Sequence, residues 1–192
     1  MLAQALTFLL ETILGLFSTT LLIRFYLQVA RIPPRNPISQ FVVALTDPVV
    51  RPARRFIPGW AGLDLSTLVL AWLTEFVLLI LVRLVQSMVF DGAGLPVLAF
   101  AVLAVISVLR MSLYILMGAL IVQAILSWVA PQSPIAPVVN GLTRPFVRPI
   151  QRRLPPIGNV DLSPLVLLIV LQLILMVGVN WLTMFVAQLF GG

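Results

Sequence analysis

The chain has 192 residues, of which 61% are hydrophobic and 9% charged, with a formal net charge of +6 and neither cysteine nor histidine. A soluble domain of this size cannot bury so much apolar surface, so lipid must solvate much of it. The missing residue types exclude disulfides, thiolate nucleophiles, imidazole bases and most zinc sites, and the scattered acidic residues form no metal cluster, so no cofactor or metal is expected.

The first apolar stretch, Leu2–Ala30, is long enough to cross a bilayer, which takes about 20 residues. Its start, MLAQALTFLL, lacks the basic region of a signal peptide, and no small-x-small cleavage site comes after it, so it reads as a retained span. Next, Ile38, Phe41, Val42 and Leu45 fall at i, i+3, i+4 and i+7, the stripe of an amphipathic helix. Asn36-Pro37 supplies an N-cap followed by proline at the first helical position, and Pro48 is expected to stop the helix. The basic segment TDPVVRPARRFIP runs from Thr46 to Pro58. Ser66 is expected to cap the second span, Ser66–Phe90, with Asp64 at the positive end of its dipole. The third stretch, Leu95–Val129, holds only Arg110 as a charge. It is either one long tilted helix or a short apolar segment, Leu95–Leu109, followed by a span. A second basic segment, TRPFVRPIQRRLP, runs from Thr143 to Pro155, preceded by Ser133-Pro134 and the stripe Ile135, Val138, Val139 and Leu142. Pro145, Asp161 and Ser163 repeat the roles of Pro48, Asp64 and Ser66, and Ser163–Leu189 is the fourth span.

These segments are copies. Asn36–Leu84 maps onto Ser133–Trp181 at a constant offset of 97, and Arg24 meets Gln123 at an offset of 99. The repeat favours four spans, because a fifth would put the two basic segments on opposite sides of the membrane, against the positive-inside bias. Arg31, Arg35, Arg51, Arg54, Arg55, Arg144, Arg148, Arg152 and Arg153 then share one side, read as cytoplasmic, with both termini outside. The expected fold is an all-α integral membrane protein with four transmembrane helices. They form two parallel-repeat α-hairpins, residues 1–94 and 95–192, each with an interfacial amphipathic basic segment.

The doubled RP…R(R)…P segments, each leading into DLS and a span, resemble the YggT family of bacterial and chloroplast membrane proteins. The resemblance covers nearly the whole chain, with two departures: Asp47 becomes Arg144 and Arg54 becomes Gln151. It implies an integral inner-membrane protein without established enzymatic activity, linked to osmotic or salt tolerance, with relatives tied to cell division and chloroplast cytochrome assembly. The expectation is therefore a non-enzymatic bacterial inner-membrane protein supporting osmotic or envelope homeostasis as an anionic-lipid-binding scaffold or assembly factor. The alternative is a small oligomeric channel or transporter for an ion or osmolyte.

Two sets of residues could carry such roles. Every basic residue is arginine, whose planar fork matches phosphate oxygens, and proline fixes the backbone that aims it. Arg51 and Arg148, then Arg55 and Arg152, are the expected headgroup ligands; purely topogenic charge is the plainer reading. The second set lies within the spans, where polar groups are costly. Glu11 aligns with Arg110, Glu75 with Gln172, and Arg83 with Asn180. These residues either glue the bundle, with Glu11 compensating Arg83 or Arg110, or line a polar route with Glu75 as its carboxylate. Gly15, Gly118 and Gly178 are expected at close helix contacts, and Tyr26 and Trp128 at the membrane interface. The partners implied are anionic phospholipids, a second copy of the chain or another membrane protein, and not nucleic acid.

Overall fold

The computed structural model describes residues 1–57, 59, 63–87, 96–130, 132–153 and 162–190. Among them there are helices and no strand: α1 (Leu2–Val29), α2 (Pro37–Ala53), α3 (Leu65–Ser87), α4 (Val97–Val129), α5 (Ala136–Gln151), α6 (Ser163–Leu173), a π-helical stretch (Ile174–Val179) and α7 (Asn180–Phe190). α1, α3, α4 and the continuous run Ser163–Phe190 are each long and apolar enough to cross a membrane. At most 22% of the most apolar window of any of them is buried. The rest of that apolar surface faces outward, as in a multi-pass membrane protein.

α4 settles the open reading of the third stretch. It is one helix of 33 residues, so 97–109 belong to the same span as Arg110 and the turns beyond it. At about 1.5 Å per residue it is longer than the hydrocarbon core and must tilt or protrude.

α1 packs mainly on α3, α3 on α4, and α4 on the fourth span. Leu21, Leu22, Val50 and Ala71 form one core cluster, and Ile106, Leu175, Val179 and Val186 another. Trp72 ties α3 to α4 by donating its indole N–H to the Ala101 carbonyl at 3.1 Å. Leu27, Val42 and Val138, with Ile23, Ile32, Ile38 and Leu142 around them, join both short helices to the end of α1. α2 and α5 therefore lie at the same end of the bundle. α5 sits close on the corner between α1 and α2 at Gly141, where an added Cβ would meet Ile32 side-chain carbons at 3.2 and 3.3 Å.

α1 ends in a Schellman corner. The Ile32 N–H donates to the Leu27 carbonyl at 3.0 Å and the Arg31 N–H to that of Gln28 at 2.9 Å. This places Arg31 at φ 53, a left-handed position where glycine is usual.

Several local expectations need correction. Pro48 and Pro145 do not stop their helices, which run on through Pro52 and Pro149 to Ala53 and Gln151. All four prolines lie away from the buried inner faces, where a carbonyl that loses its donor can be solvated, while Thr46, Val50, Thr143 and Val147 stay buried. The stripe also divides. Val42 is buried on the bundle, but Phe41 is 67% and Leu45 48% exposed; the inner face of α2 is Ser39, Val42, Thr46 and Val50.

Asn36 does cap α2, its Oδ1 accepting from the Ser39 N–H at 2.8 Å. Ser133 does not cap α5, which begins later, with Ile135 in the capping position and no side-chain cap bond. Ser66 lies inside the first turn of α3 and gives its hydroxyl to Asp64, and Ser163 is the first residue of α6 behind Leu162. Of the three glycines expected at helix contacts, Gly118 has nothing within 4 Å of an added Cβ, Gly15 meets Met111 at 3.8 Å and Gly178 only Ile174 of its own span. Pro58, Leu95, Pro155, Asp161 and the side chain of Trp128 lie outside the described residues.

Candidate functional site

The first basic corner is assembled by a residue of the preceding span. Arg24, on α1, is 7% exposed and reaches α2, where its Nη1 donates to Thr46 Oγ1 at 2.7 Å and pairs with Asp47 Oδ1 at 2.8 Å. Arg51, one turn beyond Asp47, takes the other carboxylate oxygen at 2.8 Å. Burial pushes the Asp47 carboxyl upward, but the bond and charge of Arg24, with Arg51 behind them, outweigh it and hold its pKa below the usual range. The next turn repeats the device. Arg54 donates through Nε and Nη2 to Asp64 Oδ2, at 3.1 and 2.5 Å, and the hydroxyls of Ser66 and Thr67 complete the carboxylate's shell. Burial again raises the Asp64 pKa, and the bonds from Arg54, Ser66 and Thr67 bring it down on balance.

The second corner keeps the backbone and changes the charges. Thr143, like Thr46, is fully buried and returns its hydroxyl to its own helix, at Val139 O, 3.0 Å away. In place of Arg24 stands Gln123, whose Oε1 is buried with no partner among the described residues. In place of Asp47 stands Arg144. Arg144, Arg148 and Arg152 form an i, i+4, i+8 row that is exposed throughout, with Arg153 beside it. Among the described residues no carboxylate pairs with any of the four. The expected headgroup ligands are thus not equivalent: Arg51 is engaged by Asp47, while Arg55, Arg148 and Arg152 are exposed and unpaired among the described residues.

The embedded polar set divides as well. Glu11 and Arg83 line one cleft of about 860 Å³ with Met1, Gln4 and Gln86. Their repeat counterparts also meet, Arg110 Nη2 lying 3.1 Å from Thr183 Oγ1 and 3.5 Å from Asn180 Oδ1. Arg110 is therefore satisfied by the fourth span rather than by Glu11. Glu75, on α3, is 4% exposed facing α1, where the nearby Ser18 hydroxyl donates to the Ala71 carbonyl at 3.4 Å, and its Oε1 has no hydrogen-bond partner among the described residues. Gln172 is exposed on the outside of α6, which turns Leu167 and Leu171 inward instead. The structure does not bring Glu75 and Gln172 together, and the five main cavities among the described residues leave Glu75 out of their walls. Tyr26 packs against the first core cluster, with Phe25 edge-on at 5.4 Å.

The duplicated corner and its two spans are what comparison with known proteins also finds. The family model CCB3/YggT matches residues 3–85 and 102–182, one segment for each copy. The chain belongs to the CCB3/YggT family. It is 40% identical over 175 residues to an uncharacterized protein of Pseudomonas aeruginosa, covering 90% of this chain and 87% of that one. It is 39% identical over 173 residues to a protein from the proC 3′ region of Vibrio alginolyticus, covering 88% and 90%. To the uncharacterized protein YggT of Escherichia coli it is 37% identical over 172 residues, covering 89% and 87%. No solved structure matches.

In this YggT-family chain the first corner rests on pairings that motif reading passed over: Arg24 with Thr46 and Asp47, and separately Arg54 with Asp64. The available signal was the pair of departures between copies. Arg24 becomes glutamine where Asp47 becomes arginine, a coupled change that marks a contact across the loop.

Proposed function

We propose that this YggT-family protein is a non-enzymatic scaffold of the bacterial inner membrane that holds anionic lipid at its cytoplasmic face and so supports envelope or osmotic homeostasis. In this reading residues 1–94 and 95–192 are two parallel α-hairpins. α2 and α5 are interfacial amphipathic helices and both termini are periplasmic. The observation that supports it is that two arginine-bearing helices both pack on the same end of α1, at one end of a four-span bundle. The positive-inside bias puts that end in the cytoplasm, where anionic headgroups lie within reach of exposed guanidinium groups.

The test is growth of a strain lacking the protein after osmotic upshift, complemented with the wild-type chain or with Arg148→Gln plus Arg152→Gln. The wild type should restore growth and the variant should restore it only in part. No defect in the deletion strain sinks the osmotic role, and full rescue by the variant sinks the lipid mechanism.

A channel or transporter reading draws on one observation, the Oε1 of Glu75 in α3, buried without a partner among the described residues. It requires ion flux in proteoliposomes that Glu75→Gln abolishes. The scaffold reading expects no flux from either protein.

A further inference from the structure

We propose that the anionic-lipid site is confined to the second corner, on the row Arg144, Arg148 and Arg152, and that the first corner is the same site filled by its own carboxylate. This rests on the lipid-scaffold reading and narrows it to one half of the molecule.

The two copies act as each other's control. In the first, the row is Asp47, Arg51 and Arg55. Asp47 gives one oxygen to Arg24 and the other to Arg51, both at 2.8 Å, so the anion that these arginines bind is part of the chain. In the second, Arg148 is kept at the position of Arg51, but the carboxylate is gone and a cation stands in its place. The span no longer sends an arginine to meet it, and Gln123, in Arg24's position, keeps a buried oxygen unpartnered among the described residues. A like-charged i, i+4, i+8 row with no counter-charge among the described residues destabilises its own helix. An anion supplied from outside removes that cost.

The chemistry points to phosphate. Successive arginines in the row stand about 6 Å apart along the helix, and each offers a planar fork to phosphate oxygens. The source is a membrane phospholipid because of what else α5 carries. Phe146 is 50% exposed and lies between Arg144 and Arg148 in sequence, on the other side of the helix. Arginines on one face and an open aromatic on another suit an amphiphile with an anionic head and acyl chains.

Native mass spectrometry of the full-length chain in detergent tests this, with titrations of phosphatidylglycerol and of phosphatidylethanolamine. Arg144→Asp rebuilds the carboxylate of the first copy, removing one cation and engaging Arg148. At about fivefold for each basic residue withdrawn, it should lower phosphatidylglycerol retention about 30-fold. Arg148→Gln should lower it about fivefold, and Arg51→Gln less than about twofold, since Arg51 is already engaged. Inorganic phosphate at constant ionic strength should not displace the lipid. Thermal unfolding of each variant, no lower than wild type beyond a small shift for these exposed sites, separates loss of binding from loss of fold. A wild type with no preference for phosphatidylglycerol overturns the lipid reading itself. A preference that Arg51→Gln and Arg148→Gln reduce equally overturns only the confinement to the second corner, and displacement by inorganic phosphate overturns the lipid as ligand.

Discussion

The two basic corners share a backbone plan and differ in where their counter-charges come from. In the first, acid and base are both covalently present: Asp47 between Arg24 and Arg51, Asp64 beneath Arg54. In the second, Arg144 and Gln151 occupy the positions of Asp47 and Arg54, and the arginine row opens to its surroundings. The lesson is that a duplicated motif can keep its shape while one copy becomes a structural joint and the other a surface. Buried charge makes the joint, because Arg24 cannot be left alone in an apolar setting without a large desolvation cost.

The sharpest way to break this comparison is to remove the acid that holds Arg24. Asp47→Asn should destabilise the protein by about 3 kcal/mol, the low end for a broken buried pair, since Asp47 keeps an exposed edge. The matching change Arg144→Asn should stay within about 0.5 kcal/mol, as for an ordinary surface site. Unfolding midpoints in one detergent measure both, and equal losses would mean that the corners are equivalent after all.

Acid should act on the same difference. The Asp47 and Asp64 carboxyls titrate below the ordinary value near 3.9, so the folded state favours their charged forms. Their contribution is complete above the unfolded pKa and fades as pH falls through the folded one. Stability should therefore drop below about pH 4, and Arg54→Gln, which installs the residue of the second copy, should shrink the part of that drop due to Asp64. An unchanged acid profile in Arg54→Gln would detach Asp64 from Arg54.

A smaller effect sharpens the comparison from the backbone side. Arg31→Gly relieves a left-handed arginine in the Schellman corner and should stabilise by about 1 kcal/mol. A neutral or negative result would mean that the Arg31 side chain contributes more than its backbone costs.

Much of the architecture is legible in the residues themselves. The spans come from hydropathy and length, and the repeat from identical residues at a fixed offset. The prolines misled because local propensity ignores which face is buried: Thr46 and Val50 hold α2 together past Pro48. Ser133 misled for a related reason, since α5 begins at Ala136, three residues beyond it, whereas α2 begins at Pro37, directly after Asn36. The charge network was hidden by distance along the chain. Arg24 and Asp47 belong to different elements, and only the coupled change to Gln123 and Arg144 hints that they touch. Glu75 and Gln172 align in sequence yet face opposite ways, because α3 turns its small Ala71 side toward α1 while α6 offers leucines to α4.

The seat of Gly141 on Ile32 has a consequence for the order of biosynthesis. The Schellman turn that presents Ile32 is made from residues adjacent in sequence and can form as soon as α1 leaves the ribosome. α5 emerges roughly a hundred residues later and docks on a floor already laid by the other half. The late half is thus templated by the early one, and errors made at the first turn are inherited by the second basic helix.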